Sequence, residues 1–285
     1  MKNLVPYKGD LIFVYESIAK VKSGSRKELL TGSSAIQIIN SQYDKLSRSL
    51  YDLSQMNLYC IDYSQITEIK EALIHCYEVS TIPLNRLKID IEKLQSSEYG
   101  AKCQYCGVNI PNTFDHYLPK TIFPEFSIHP FNLFPCCAQC NQEKGSSWID
   151  AEGIRCFVNL YFDNLPEVQY LYVSLIYNDE SGDMIPKVKF ELVRDSGIDG
   201  DLFATISHHF EKLDLLKKYE NQANGVVSTT RRQLKRKSIR LDKDDLRNDL
   251  NEEAESLRDT FGINNWQSCL IDALAKSDRF IDSMY

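Results

Sequence analysis

The chain has 285 residues, 43% of them hydrophobic and 26% charged, a balance typical of a folded globular protein. A formal net charge of −7 excludes a broadly basic surface, so any contact with nucleic acid must use a local basic patch. No stretch approaches the roughly 18 apolar residues of a membrane span, and residues 1–34 lack the regions of a signal peptide. Nine cysteines, an odd number, fit a reducing compartment, and we expect a cytoplasmic protein with no membrane partner.

Helical periodicity marks the first part of the chain. Residues 1–34 carry no clear pattern, but apolar residues recur at spacings of three and four over 35–55 and again over 64–79. Pro83 suits the first turn of a third helix. We therefore assign residues 1–98 to an N-terminal α-helical region.

Two Cys-x-x-Cys pairs follow, Cys103 with Cys106 and Cys137 with Cys140, separated by 30 residues. Thiolates at this spacing are ligands of a structural, tetrahedral Zn²⁺. Four ordinary buried cysteines are the alternative. Cys136 could replace Cys137 as the partner of Cys140, but the two-residue gap favours Cys137 and leaves Cys136 as a packing residue.

Polar residues of a second kind stand between and after these pairs, namely Asp115, His116, Asn132, Asn141 and Lys144. Carboxylate and amide oxygens are ligands for a hard divalent ion. A histidine with an ordinary pKa near 6.5 accepts a proton at neutral pH, as a general base must. Lys144 lies one helical turn beyond Asn141, where it could reach a phosphate.

The order of these residues resembles that of the HNH endonuclease family. The resemblance covers about 45 of the 285 residues. It is carried by Cys103-Gln-Tyr-Cys106, Asp115-His116-Tyr-Leu-Pro119, Asn132-Leu133 and Cys137-Ala-Gln-Cys140-Asn141-Gln-Glu-Lys144. Asn141 stands where the second histidine that names the family is found, a departure that bears on the preference for the metal ion.

The resemblance implies a fold, an activity and a role for each residue. It implies a ββα-metal nuclease core in which His116 is the general base and Asp115 and Asn141 bind a catalytic Mg²⁺ or Mn²⁺. Asn132 is implied to brace the loop that aims His116. The implied substrate is nucleic acid, with DNA favoured over RNA.

His129 and several aromatic residues in the same insert have two interpretations. His129 could contact substrate, but we favour a packing role in its loop. The aromatic side chains could stack on unpaired bases, whereas core packing is the commoner role for such residues. The aromatic residues in question are Phe114, Tyr117, Phe123, Phe126, Phe131 and Phe134.

A β-hairpin is predicted after the cysteines. Residues 168–177 and 187–193 are rich in β-branched and aromatic types, and the stretch from Asn178 to Pro186 would form the turn. We place this hairpin with the nuclease core in a region covering residues 99–195. The segment 159–164 loosely resembles the HNH nuclease subunit of Septu-type bacterial anti-phage defence systems, which implies an ATPase subunit as partner.

Residues 196–285 are predicted to be helical again. A helix marked by Leu213 and Tyr219 precedes one over 226–240, which carries the basic run. Within that run Arg232, Lys235 and Arg236 are candidate contacts for the phosphate backbone. The following acidic segment, 242–259, could instead pair with the basic run, and we leave both interpretations open. A last helix over about 264–283 looks suited to packing, either within the chain or against a partner.

Together these patterns predict an α+β protein in which a small zinc-bound nuclease core and a β-hairpin lie between helical regions. The predicted function is metal-dependent hydrolysis of phosphodiester bonds, as the effector of a bacterial defence system acting with an ATPase or by self-assembly. A zinc-stabilised, non-catalytic subunit for nucleic-acid binding or assembly is the alternative.

Overall fold

The structure, a computed structural model, describes residues 1–50, 52–178 and 185–285. These residues form two compact units. The N-terminal unit consists of Asn3–Tyr105 and Asn109–Asn164, and the C-terminal unit consists of Met1–Lys2, Cys106–Val108 and Leu165–Tyr285. Helices predominate in both units, and each holds a pair of antiparallel strands. The predicted α+β class is confirmed.

The N-terminal unit combines helices with a short two-stranded sheet. Its elements are α1 (Leu11–Lys20), α2 (Gly24–Thr31), α3 (Ser33–Arg48), α4 (Thr67–Glu78), α5 (Ile82–Lys93), α6 (Ser97–Gly100), β1 (Thr113–His116), β2 (Leu133–Cys136) and α7 (Ala138–Lys144). Short 3₁₀ turns lie at Leu53–Tyr59, Pro124–Phe126 and Pro130–Asn132. Apolar helix residues such as Ile18, Leu46 and Leu73 are buried and form the core of this unit.

The helices begin where their capping residues predict. Thr81 accepts a hydrogen bond from the Leu84 backbone at the start of α5, and Pro83 lies in the first turn, as expected. The predicted helices over 35–55 and 64–79 are confirmed as α3 and α4, although α3 ends at Arg48. Two helices within residues 1–34 were not predicted, yet the Asp10 carboxylate caps α1 through the Ile12 and Phe13 amides.

The C-terminal unit pairs a β-hairpin with long helices. Its elements are β3 (Leu171–Ile176), β4 (Lys187–Leu192), α8 (Gly200–Lys212), α9 (Leu215–Lys237), α10 (Lys243–Phe261), α11 (Trp266–Lys276) and α12 (Asp278–Asp282). Strand β4 packs against α9 and β3 packs against α11, while α10 lies against α11. The alternating burial of β4 turns Val188 and Phe190 inward.

The predicted hairpin strands are confirmed, but the helices that follow are divided differently. Most of the predicted turn from Asn178 to Pro186 lies outside the described residues. The predicted helix over 226–240 is the second half of α9, which runs unbroken from Leu215 because its buried stripe continues through Tyr219 and Val227. The predicted last helix is two helices, since Ser277 leaves the helical conformation and caps α12.

The compact units also differ from the three predicted regions, 1–98, 99–195 and 196–285. The central cysteine segment largely shares a unit with the N-terminal helices, because the turn at Pro124–Phe126 packs against α3 and α4. The hairpin instead belongs with the C-terminal helices on which it packs.

Within the described part of the chain, every helix falls short of the length and apolar character that crossing a membrane demands.

Candidate functional site

The four predicted zinc ligands come together in the structure. The sulfur atoms of Cys103, Cys106, Cys137 and Cys140 all lie within 4.8 Å of one another, and all four side chains are buried. A tetrahedral ion with Zn–S bonds of about 2.3 Å would place its sulfurs about 3.8 Å apart. The spacing therefore needs little adjustment, and this group could hold a metal ion such as zinc.

Amide groups of the backbone and of one side chain donate hydrogen bonds to two of the four sulfurs. The Cys137 amide donates to the Cys103 sulfur at 3.2 Å, and the Cys140 amide donates to the Cys137 sulfur at 3.5 Å. The Asn109 side chain donates to the Cys137 sulfur at 3.6 Å. Donors directed at sulfur favour the thiolate form that binds metal.

Cys136 lies outside this group of four thiols. Its side chain is fully buried in β2, and burial raises the pKa of its thiol. The expectation that Cys137 rather than Cys136 joins Cys140 is therefore confirmed.

The same short sheet places the second set of predicted residues. Strands β1 and β2 pair with Asp115 opposite Phe134 and His116 opposite Leu133, so both candidate residues stand at the end of β1. Helix α7 follows β2 directly and packs against β1. From α7 the Asn141 amide approaches the Thr113 hydroxyl at 3.3 Å and the Phe114 carbonyl at 3.4 Å.

His116 is held in one tautomer. Its Nε2 atom lies 2.8 Å from the Ser127 carbonyl oxygen, and because a carbonyl only accepts, Nε2 carries the proton. The lone pair of the neutral ring is then on Nδ1. Burial is the largest cause of a His116 pKa lowered to about 3, and nearby lysines act in the same direction, so the ring is neutral at physiological pH. It is therefore a weaker base than the ordinary pKa near 6.5 expected from the sequence. The Tyr77 ring packs edge-on against it at 4.3 Å.

Asn132 joins the two ends of the loop between the strands. Its side-chain oxygen accepts from the Leu118 amide at 2.6 Å, and its amide donates to the carbonyls of Leu118 and Phe126 at 3.0 and 3.1 Å. The Tyr117 amide donates to the Asn132 carbonyl at 3.0 Å. These contacts fix the residues directly after His116, the position expected of a bracing residue.

Asp115 is buried and has two close polar partners. The Tyr105 hydroxyl donates to Oδ2 at 2.7 Å, and Lys144 Nζ lies 3.0 Å from the same oxygen and 3.3 Å from Oδ1. Tyr105 stands between Cys103 and Cys106 in the sequence, so its side chain connects the four-cysteine group to the carboxylate. That position was the only signal in the sequence for this contact, and sequence reasoning missed it.

Lys144 does not occupy the exposed position predicted for a phosphate contact. Its side chain is 1% exposed, and Nζ also donates to the His116 carbonyl at 2.7 Å. The ammonium lies 5.6 Å from the centre of the Phe157 ring. Lys144 therefore holds the end of β1 together, because a buried ammonium requires nearby oxygen partners.

The three candidate phosphate contacts on α9 are exposed, in keeping with either interpretation of the basic run. Arg232, Lys235 and Arg236 all face solvent, and Lys235 donates to the Met284 carbonyl at 2.8 Å. Lys237 pairs with Asp249 of the acidic helix α10 at 2.7 Å. These residues belong to the C-terminal unit, whereas Asp115 and His116 belong to the N-terminal unit.

His129 packs in the core, the role favoured from the sequence. It is fully buried, Nδ1 accepts from the Phe131 amide at 3.1 Å, and its ring contacts that of Tyr43 edge-on. Phe123, Phe126 and Phe134 are also fully buried. Their burial favours core packing over base stacking.

Replacing Lys144 is expected to destabilise the N-terminal unit strongly. In Lys144→Met the Asp115 carboxylate stays buried without its ammonium, a loss that typically costs about 3–5 kcal/mol. Urea denaturation followed by circular dichroism measures the change. The double variant Lys144→Met/Asp115→Asn removes both charges and should recover part of this loss. A Lys144→Met protein as stable as the parent would contradict the role given to this ion pair.

The chain is similar to protein ea31 of Escherichia phage lambda, with 24% identity over 132 residues. The matched segment makes up 45% of this chain and 43% of the phage protein, so less than half of that relative's length is spanned. No family model matches the chain, and no solved structure matches it.

Proposed function

We propose that the chain is a metal-dependent endonuclease of the HNH type that hydrolyses phosphodiester bonds, with DNA as its substrate. The observation that carries the proposal is the orientation of His116, whose Nδ1 lone pair is fixed by the hydrogen bond from Nε2 to the Ser127 carbonyl. This neutral base stands beside Asp115 at the end of β1, and Asn141 lies on the helix against that strand. Two antiparallel strands followed by a helix are the order expected of a ββα-metal core.

Each residue has a defined task in this proposal. His116 Nδ1 accepts the proton of the attacking water, and Asn132 keeps the loop behind His116 in place. Asp115 and Asn141 provide a carboxylate and an amide oxygen, a donor pair that fits Mg²⁺ or Mn²⁺ in kind. Such an ion supplies charge stabilisation to the phosphate and the leaving oxygen when bound.

The Lys144 ammonium, 3.0 Å from Asp115, places a positive charge beside the carboxylate. A divalent ion would have to share Asp115 with this ammonium, a competition that we expect to lower the affinity of the ion. The same contact favours the alternative function, a zinc-stabilised subunit that binds nucleic acid or assembles with a partner without cleaving. The two functions differ in whether a divalent ion triggers cleavage.

The experiment that separates them is a cleavage assay with the purified chain. Supercoiled plasmid and, in parallel, a structured RNA are incubated with Mg²⁺, with Mn²⁺ and with EDTA. We expect nicking and linearisation of the plasmid with either ion and none with EDTA. Binding without cleavage at any ion concentration would favour the non-catalytic subunit. Preferential cleavage of the RNA would show that RNA, not DNA, is the substrate.

We further propose a role in bacterial defence in the cytoplasm, with an ATPase subunit or self-assembly completing the path for nucleic acid. The chain carries a net charge of −7 and one basic run, so it offers few phosphate contacts of its own. A partner that adds such contacts would also confine cleavage to the moment of activation.

Charge reversal on α9 tests whether the basic run alone suffices. We expect the isolated parent to bind DNA weakly at about 0.15 M salt, and the triple variant Arg232→Glu/Lys235→Glu/Arg236→Glu to lose about tenfold affinity at low salt. Fluorescence anisotropy with a labelled duplex measures both. Lys217→Glu, an exposed change on the same helix, is the control beside Lys235→Glu. Strong binding and cleavage by the isolated parent at physiological salt, abolished by the reversal, would contradict the need for a partner.

A further inference from the structure

Helices α4 and α5 bring a group of cations next to His116. Tyr77 of α4 lies against the His116 ring, with centroids 4.3 Å apart, and its hydroxyl donates to the Phe114 carbonyl of β1 at 3.1 Å. Lys88 of α5 and Lys120, which follows β1, approach the same tyrosine. Neither lysine belongs to the set of residues predicted from the sequence.

Lys88 is a half-buried cation resting on aromatic rings. Its Nζ lies 4.3 Å from the centre of the Tyr77 ring and 5.7 Å from that of Phe114. Burial lowers the pKa of Lys88, so a part of the hydration of its ammonium is lost. Contact with ring faces and the charge of Glu92 offset only part of that loss, and a phosphate at this position would offset more.

Lys120, in the loop that follows β1, also approaches the Tyr77 ring. Its Nζ lies 5.7 Å from the Tyr77 ring centre and 2.7 Å from an oxygen of Glu78. The lysine side chain is 27% exposed and that of Glu78 is 53% exposed, so the pair opens to solvent. An ion pair of this kind is weak and readily exchanged for another anion.

Both cations lie on the Tyr77 side of His116, since each approaches the Tyr77 ring that packs against the imidazole. Two lysines thus converge on this side of the candidate base in a chain whose net charge is −7. The buried Lys144 is already paired with Asp115 and hydrogen-bonded to the His116 carbonyl. Lys88 and Lys120 are less buried than Lys144 and lie nearer to solvent.

We propose that Lys88 and Lys120 form a phosphate-binding wall beside His116 that holds the nucleic-acid backbone next to the bond to be cut, with Glu78 as a counter-ion that the phosphate displaces. The substrate class rests on the proposed nuclease function. The wall extends the site from the central segment to the N-terminal helices, which gives those helices a part in binding substrate. Tyr77 is a positioning residue here, since it separates the lysines from the base and sets their distance to it.

Binding measured without cleavage tests the wall separately from catalysis. In a His116→Ala background, affinity for a labelled duplex of 30 base pairs is followed by anisotropy over a salt series starting near 20 mM. Lys88→Gln and Lys120→Gln should each weaken binding about tenfold at low salt. Each should also reduce the slope of log affinity against log salt by about 0.9, the signature of one lost phosphate contact. Lys93→Gln, an exposed change on the same helix, should alter neither quantity by a comparable amount.

Glu78→Gln is expected to change the affinity for DNA in the opposite direction from the two lysine variants. Removing the counter-ion of Lys120 should tighten binding about twofold to fivefold, an effect that loss of structural support would not produce. Lys88→Arg should restore most of the affinity lost in Lys88→Gln. Melting curves confirm that each variant folds.

The outcomes separate this inference from the nuclease proposal. Loss of binding in the lysine variants together with a parent that never cleaves would leave the wall in place and overturn the nuclease function. A parent that cleaves while both lysine variants keep the parental affinity and salt slope would overturn the wall. Failure of the folded protein to bind duplex DNA at 20 mM salt would overturn it as well.

Discussion

Cys103→Ser is expected to remove the bound metal ion and to unfold much of the N-terminal unit. A serine hydroxyl is a far poorer ligand than a thiolate, and the three remaining thiols would hold zinc weakly. Structural zinc sites contribute about 10–16 kcal/mol of apparent binding energy, an amount as large as the whole stability of a typical domain. Elemental analysis should find about one zinc per chain in the parent and little in the variant, and circular dichroism should report lost helix.

Cys136→Ser is the matched control, because it changes a buried cysteine of the same segment that lies outside the cluster. It should keep the zinc and lose only about 1–3 kcal/mol, the usual cost of burying a hydroxyl in an apolar site. A folded Cys103→Ser protein with parental zinc content would contradict the four-cysteine site. Loss of zinc in Cys136→Ser would instead show that the neighbouring thiol is a ligand.

The sequence was informative where a local pattern decides the structure. The hairpin strands and helices α3, α4 and α5 follow from alternation, periodicity and the proline at position 83. The grouping of the four cysteines follows from spacing alone, since two residues between cysteines leave few ways for both sulfurs to face one ion. The break at Ser277 was missed because it depends on a local cap, in which the Ser277 hydroxyl accepts from the Phe280 amide. The continuity of α9 was missed although its buried stripe runs on from Tyr219 through Val227.

The candidate site was only partly predictable from the sequence, because some of its contacts join residues that meet only in the folded chain. The family resemblance implied two strands and a loop braced by Asn132, and the structure has Asp115 and His116 on β1 and Asn132 in the turn before β2. The burial of Lys144 was missed because it depends on oxygen atoms of β1 and on the Phe157 ring, which meet only in the folded chain. Lys88 was missed because it is more than 25 residues away in sequence from His116, with an ordinary helical context.

His116→Ala is expected to lower the rate of metal-dependent DNA cleavage by on the order of 10²-fold or more, because it removes the base that takes the proton from water. The rate is measured on supercoiled plasmid with saturating Mg²⁺. Zinc content should match the parent, since the thiol cluster does not include this residue. Stability should fall modestly, because the hydrogen bond to the Ser127 carbonyl and the contact with Tyr77 are lost.

Added imidazole distinguishes a missing base from a damaged fold. The alanine variant lacks a ring that is 8% exposed, so a free imidazole can enter the vacated space and supply a nitrogen lone pair there. Partial recovery of cleavage with imidazole is therefore expected in His116→Ala and not in Asp115→Ala, whose missing group is an oxygen ligand. His208→Ala, a histidine of the C-terminal unit, should cleave like the parent. Cleavage by His116→Ala at the parental rate would contradict the assignment of His116 as the base. A large loss of cleavage that imidazole does not reverse would indicate that His116 has a structural role.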